Sequence, residues 1–231
     1  MNRFLLCVLL CSVALVSGCG NTPNEPVPPV PPPDRVSDYY TPRSTALRYN
    51  YNHFDYRPGY QNSQFIEVYQ HISANSTIDG LGSVDQYFLN GAKGTDTVEA
   101  YVSDSMVVEY GADHTSTDHR IVLLKSPLQA TKTWAAARGF LTPDGRRVDI
   151  DAVVVSHLLS YSVNAGTAYN DVYEVRYNIS GPAATDSNAD YQPGSWHTVY
   201  YGTNTGKIEE FSINAADHVI WSNALDTITA R

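Results

Sequence analysis

The sequence predicts an all-β domain, an antiparallel sheet of about ten short strands. Three observations carry that expectation. Runs of five to eight β-branched and aromatic residues recur along the chain, separated by glycine, proline, asparagine and aspartate. Helical periodicity is weak throughout, and the stretch 126–132 contains Pro127, which cannot sit inside a long helix. Seventeen tyrosines stand against two methionines, a bias that suits strands with one wet face.

The elements follow in order from residue 46. Leu47, Tyr49 and Tyr51 alternate with polar neighbours. Runs 65–72, 84–89, 98–102 and 106–110 come next, split by Gly91-Ala92-Lys93-Gly94 and by Asp104. Residues 120–125 carry Ile121-Val122-Leu123-Leu124. Runs 134–141 and 147–155 flank Thr142-Pro143-Asp144-Gly145, a turn in which proline presets φ and glycine accepts a positive one. Over 172–179, Tyr173, Val175, Tyr177 and Ile179 alternate with Val172, Glu174, Arg176 and Asn178. Runs 197–201 and 207–213 flank Gly202-Thr203-Asn204-Thr205-Gly206, a second hairpin, and 219–228 closes the chain. Such a chain of turn-linked strands is an antiparallel domain. Trp134, ahead of the small residues Ala135 to Ala137, is expected in the core beside Leu123, Val153, Val155 and Val175.

Composition excludes several functions. The formal charge is −9, and loss of Arg3 with residues 1–18 takes it to −10. An acidic surface repels phosphate backbones, so nucleic acid is excluded as a partner. The three cysteines are Cys7, Cys11 and Cys19. Beyond residue 19 there is no thiol, hence no disulfide, no cysteine nucleophile and no thiolate zinc site in the domain.

The N-terminus reads as a secretory signal: Asn2-Arg3, an apolar run over residues 4–16, then small residues. The run is shorter than the ~20 residues that span a bilayer. Val16-Ser17-Gly18-Cys19 resembles the lipobox of bacterial lipoproteins. The resemblance implies cleavage before Cys19, lipidation of Cys19 with diacylglycerol and palmitate, and membrane attachment through the lipid. Several acyl chains give durable anchoring. Residues 19–37 are expected to form a proline-rich tether packed on nothing, with the domain spanning 38–231. The eleven residues from Pro23 to Pro33 would reach ~34 Å as polyproline II. By the same resemblance, an aspartate after the lipidated cysteine would imply inner-membrane retention; Gly20 stands there instead, which implies the outer membrane where the cell has one.

A second resemblance covers residues 120–213. Leu123-Leu124-Lys125-Ser126-Pro127-Leu128, Thr133-Trp134, Leu141-Thr142-Pro143-Asp144-Gly145, and residues 196–201 with Gly206-Lys207-Ile208 form a layout similar to uncharacterised bacterial cell-envelope lipoproteins. It implies a strongly curved antiparallel sheet or incomplete β-barrel, like the half-barrels of lipoprotein-sorting (Lol-type) proteins. It brings no catalytic residues. One departure stands out: the glycine expected near Thr131 is missing.

Several clusters could carry chemistry. Asp113, His114, Asp118 and His119 offer metal ligands, but their spacing matches no metal motif and a solvated loop explains them. Asp186-Ser187-Asn188-Ala189-Asp190 begins like a calcium loop, yet Tyr191 replaces the glycine and His197 the bidentate glutamate. Asp149 and Asp151 share a strand face and could serve glycoside hydrolysis, though hydration of an open face accounts for them. Tyr49, Tyr51, Tyr69, Tyr87 and Tyr101 could line an aromatic surface for acyl chains or glycans. No catalytic residue, metal or cofactor is assigned. The reading is a membrane-anchored envelope lipoprotein of non-catalytic binding or structural type, with a hydrophobic ligand, a glycan or an envelope protein as partner. The alternative is a cell-wall or glycan hydrolase using dispersed carboxylates. A Ser–His contact in the interior would favour that alternative.

Overall fold

The computed structural model describes residues 35–40, 47–58, 63–78, 81–91, 94–110, 117–163, 166–186 and 189–230, with 63–97 and 117 as backbone. Twelve strands lie among them. These are β1 (Leu47–Asp55), β2 (Ser63–Ile78), β3 (Leu81–Gly91), β4 (Gly94–Val102), β5 (Met106–Tyr110) and β6 (Arg120–Lys125). Then come β7 (Thr133–Leu141), β8 (Arg147–Val163), β9 (Thr167–Ser180), β10 (Trp196–Gly202), β11 (Gly206–Ile213) and β12 (Val219–Ala230). They pair antiparallel in the order β6-β5-β4-β3-β2-β1-β12-β11-β10-β9-β8-β7. The fold is thus two six-stranded meanders, joined where the first strand pairs with the last.

That order forces curvature. β6 and β7 are consecutive in the chain yet stand at opposite ends of the sheet. Laid flat, twelve strands at ~4.8 Å spacing would hold them about 50 Å apart. The connection over 126–132 spans under about 30 Å even when fully extended. The sheet must therefore curl until its margins approach, which gives the curved, incomplete barrel expected. No ladder joins β6 to β7. Side chains reach β6 instead: from β7, Trp134 Nε1 donates to the Val122 carbonyl at 2.8 Å, and from β9 the Tyr177 hydroxyl donates to the Leu123 carbonyl at 2.7 Å.

The core fills the concave side. Val148, Ile150, Ala152 and Val154 on β8 face Tyr173, Val175, Tyr177 and Ile179 on β9, all buried. Trp134 lies opposite Ala152 and packs in this core with Leu123 and Val175. Val153 and Val155 are not its neighbours: side chains alternate along β8, so Val153 is half-buried and Val155 exposed on the other face.

Several boundaries differ from the sequence reading, β2 running to Ile78 among them. β8 and β9 run well past 155 and begin well before 172, because a register shift at Val154/Ser156 breaks the period-two pattern that marks a strand. The fold also starts inside the stretch read as tether. A 3-10 turn, Val36–Tyr39, buries Val36 and Tyr39 in the main core. The Val36 amide donates to the Asp104 carbonyl at 3.1 Å, and the Asn204 amide to the Asp38 carbonyl at 2.6 Å. Tyr39 and Tyr40 then bond Asp171 on β9 at 2.6 Å and Glu109 on β5 at 2.5 Å.

Candidate functional site

The two halves of the interior differ in chemistry. The wall from β5 through β9 is mainly apolar, with the Glu109 carboxyl on β5 an exception. The wall from β10 through β12 to β1 carries polar side chains at inward positions. Register sets their rows. His197, Ser212, Trp221 and Asp55 lie opposite one another across four strands, followed by Val199, Glu210, Asn223 and His53.

Charged groups on this wall are held by one another. Lys207 Nζ lies 2.7 Å from Glu210 Oε2 and 5.6 Å from the Tyr51 ring centroid. Burial pushes the Glu210 carboxyl up, but Lys207, His197 and His53 outweigh it and hold Glu210 below the usual range. Arg57 grips Asp55 through Nε at 2.9 Å and reaches Asp190 at 3.4 Å. Burial alone would raise Asp55; the bonds to Arg57 lower it. Glu109 goes the other way, raised chiefly by burial despite the Tyr40 hydrogen bond.

The loop after β9 brings in two more groups. Arg146 holds it through the Pro182 and Tyr191 carbonyls at 2.8 and 3.1 Å. Asp190 then accepts from Trp221 Nε1 at 2.8 Å, and the Tyr191 ring packs against Phe140 and His197 at 5.2 and 5.3 Å. Trp221 stacks on His53 at 5.6 Å and meets the edge of His197 at 5.5 Å. Burial lowers the His197 pKa, opposed by the nearby Glu210 and Asp190 carboxylates. In this setting His197 Nε2 and Ser212 Oγ are buried without a hydrogen-bond partner. The two residues face each other across β10–β11, but no hydrogen bond joins them into a nucleophile–base pair.

The residues singled out from sequence fall elsewhere. Cys19, the signal peptide and most of the tether lie outside the described residues, as do Asp113, His114 and Asn188. Asp118 is held by Arg147 at 2.7 and 2.9 Å, and His119 sits edge-on to Phe140 at 6.0 Å. Among the described residues, no three His, Cys, Asp or Glu gather where they could hold a metal ion. Asp149 accepts from the Gly139 amide at 2.9 Å, and Asp151 pairs with Arg138. Tyr49 and Tyr51 are buried in a small cluster with Leu225, and Tyr51 donates to the Lys207 carbonyl at 2.8 Å. Burial pushes the Tyr49 phenol up to about 12. Tyr101 is half-buried on β4. Tyr69 and Tyr87 lie on β2 and β3, opposite Tyr49 and His71, with side chains outside the described set.

Sequence reasoning missed His53, His197, Glu210, Ser212 and Trp221 as a group. A signal existed. The stretch Lys207-Ile208-Glu209-Glu210-Phe211-Ser212 has no clean apolar face, unusual for a strand next to the core. The pairing that unites it with β10, β12 and β1 is not visible in any local window.

Comparison with known proteins supports the architecture. No family model and no curated protein matches the chain. Among solved structures, the fold is similar to a candidate exported protein with a YmcC-like fold from Bacteroides fragilis NCTC 9343. That match has 14% identity and a TM-score of 0.52, and it covers 83% of this chain and 99% of the other. A candidate lipoprotein from Parabacteroides distasonis ATCC 8503 aligns with 12% identity and a TM-score of 0.49, with the same coverage. The first likeness places the chain's fold with the YmcC-like fold.

Proposed function

We propose that this chain is a lipid-anchored lipoprotein of the cell envelope, of binding rather than catalytic type, attached through Cys19 to the outer membrane. The observation that carries the reading is Val16-Ser17-Gly18-Cys19 behind a short apolar run, followed by a proline-rich tether. The Bacteroides fragilis neighbour is described as exported, in keeping with it. Binding is favoured over hydrolysis by what the polar groups already do. Asp55 and Asp190 are engaged by Arg57, Asp151 by Arg138 and Asp118 by Arg147. His197 and Ser212, opposite each other on the polar wall, lack the bond that would activate the serine.

Metabolic labelling with a palmitate analogue tests the anchor. The wild-type chain takes up label and loses its first 18 residues, whereas Cys19→Ser takes up none and accumulates as precursor. Undiminished labelling of Cys19→Ser overturns the reading.

A further inference from the structure

We propose that the outer face of β9 to β12 and β1, around Arg176, Trp196 and Phe211, is an open docking surface for a saccharide that carries a carboxylate. This deepens the binding reading above and rests on it.

Register builds the surface. Arg176, Thr198, Phe211, Ser222 and Phe54 lie opposite one another across five strands. Trp196 and Ile213 lie opposite each other in the next row. Tyr56 follows Phe54, with its hydroxyl 3.5 Å from Ser222 Oγ. Side chains alternate along a strand, so this face is the reverse of the wall that carries His197, Ser212 and Trp221. It meets solvent directly and binding here requires no enclosed cavity.

An outer sheet face is ordinarily polar, and this part is not. Tyr56 is 51% exposed, and Trp196, Phe211, Ile213 and Phe54 are half-buried. Thr198 and Ser222, the strand neighbours of Phe211, are small and buried, so Phe211 stands above both. A contiguous apolar patch on an outer face marks a contact surface.

Charge selects the ligand. The Arg176 guanidinium lies over the Trp196 ring, 5.3 Å from its centroid. Among the described residues it has no ion pair and no hydrogen bond, and its Nε is covered and unbonded. The carboxylates around it are engaged elsewhere: Glu174 accepts from Ser156 at 2.8 Å, Glu209 from Tyr161, and Asp151 pairs with Arg138. A guanidinium resting on a ring keeps its outer N–H groups for a planar acceptor, and a carboxylate takes two of them.

Size separates the occupants. Five strands make the face about 19 Å across, with its rows about 7 Å apart. That footprint is well below the ~800 Å² each partner buries in a stable protein interface. A second copy placed here by a two-fold axis would set the patch against itself, with another unpaired guanidinium and no free carboxylate. A bilayer fits no better, since the patch brings one cation on a chain of charge −9. A saccharide is narrow, lays C–H faces on rings, and supplies the missing counter-charge through one acid group. A polymer charged at every unit would be repelled by the chain, so the carboxylate is an isolated one.

Titration of the 15N-labelled full chain tests this, reading the three indole N–H signals. Trp134 and Trp221 are bonded within the fold, to the Val122 carbonyl and to Asp190, and serve as references. The probes are matched pairs: glucuronate and glucose, N-acetylmuramic acid and N-acetylglucosamine, sialyllactose and lactose. Lactate, triglutamate and phosphatidylglycerol vesicles are controls. At least one acid sugar is expected to move the Trp196 signal saturably and the references little, with its neutral counterpart at least about tenfold weaker. Arg176→Gln should weaken that acid sugar about tenfold or more and leave the neutral one unchanged. The variant should melt within about 2 °C of wild type, since it breaks no ion pair or hydrogen bond. No saturable shift from any acid sugar, an equal response to its neutral counterpart, to lactate or to triglutamate, or unchanged affinity in Arg176→Gln overturns the proposal. A response to the vesicles alone also overturns it. Cleavage of sialyllactose would overturn the binding reading itself. Acyl labelling of Cys19 is read separately, so failure here and failure of the anchor are distinguishable.

Discussion

Thr131 shows how a missing residue type leaves a mark. The sequence lacks a glycine ahead of Trp134, and Thr131 takes a left-handed φ of 69° there. Its amide still bonds the Val154 carbonyl at 2.8 Å. A β-branched residue in that region carries strain of about 1–3 kcal/mol, partly offset by the flexibility glycine adds to the unfolded chain. Thr131→Gly is therefore expected to stabilise by about 1 kcal/mol and raise the midpoint by about 2–4 °C in a thermal melt. Trp134 contributes both packing and a hydrogen bond. Trp134→Ala should cost about 3–5 kcal/mol. Trp134→Phe should cost about 1–3 kcal/mol, mainly from the Val122 carbonyl left unpaired. Glu109 gives a pH-dependent case. Burial raises its folded-state pKa, so the native chain holds this proton more tightly than the unfolded one. Below the unfolded carboxyl value both states are protonated and the group is neutral to stability. As pH rises, the unfolded chain loses its proton first and stability falls until the folded group ionises too. Glu109→Gln keeps an oxygen for the Tyr40 hydroxyl and removes the charge. Denaturant midpoints should rise in this variant at pH 7 and match wild type below about pH 4; an equal gain at both pH values would contradict the assignment.

At the scale of elements, the hairpins were legible and the termini of elements were not. Thr142-Pro143-Asp144-Gly145 and Gly202-Thr203-Asn204-Thr205-Gly206 announce their turns through residues whose φ preferences act locally, and Gly145 takes φ 82° as required. The ends of β8 and β9 depend on a bulge that reverses which face each side chain meets, so period-two counting stops there. The 3-10 turn was hidden for another reason. Val36-Ser37-Asp38-Tyr39 has no periodicity of its own, and its burial comes from contacts with Asp104, Glu109, Asp171 and Asn204, all far along the chain. Limited proteolysis should accordingly leave a stable fragment that retains Val36. A truncation starting at residue 41 should melt well below the full chain, because it deletes three buried side chains, two of them hydrogen-bonded tyrosines. A core fragment beginning at 41 with unchanged stability would count against the turn as part of the fold.

At the scale of the whole molecule, the seam between β6 and β7 is the weak line. Among the described residues no ladder closes it, where every other neighbouring pair has one; Trp134 on β7 bonds across to β6, and Tyr177 reaches β6 from β9. Hydrogen exchange should find β6 and β7 exchanging faster than β10, β11 and β12, which are paired on both sides; uniform protection would contradict this. The sequence by itself determined what acts over a few residues: strand type, turn chemistry, the lipobox-like tetrapeptide and the want of thiols in the domain. Backbone sterics and side-chain alternation are local, so they can be read in place. Only the tertiary structure decided which strands are neighbours, that the first pairs with the last, and that a seven-residue link curls twelve strands into an incomplete barrel. It alone brought His53, His197, Ser212, Glu210 and Trp221 onto one wall, from strands as much as 168 positions apart in the chain. Such a site exists only once register is set, because inward-facing polar residues from different strands share nothing in sequence but their parity.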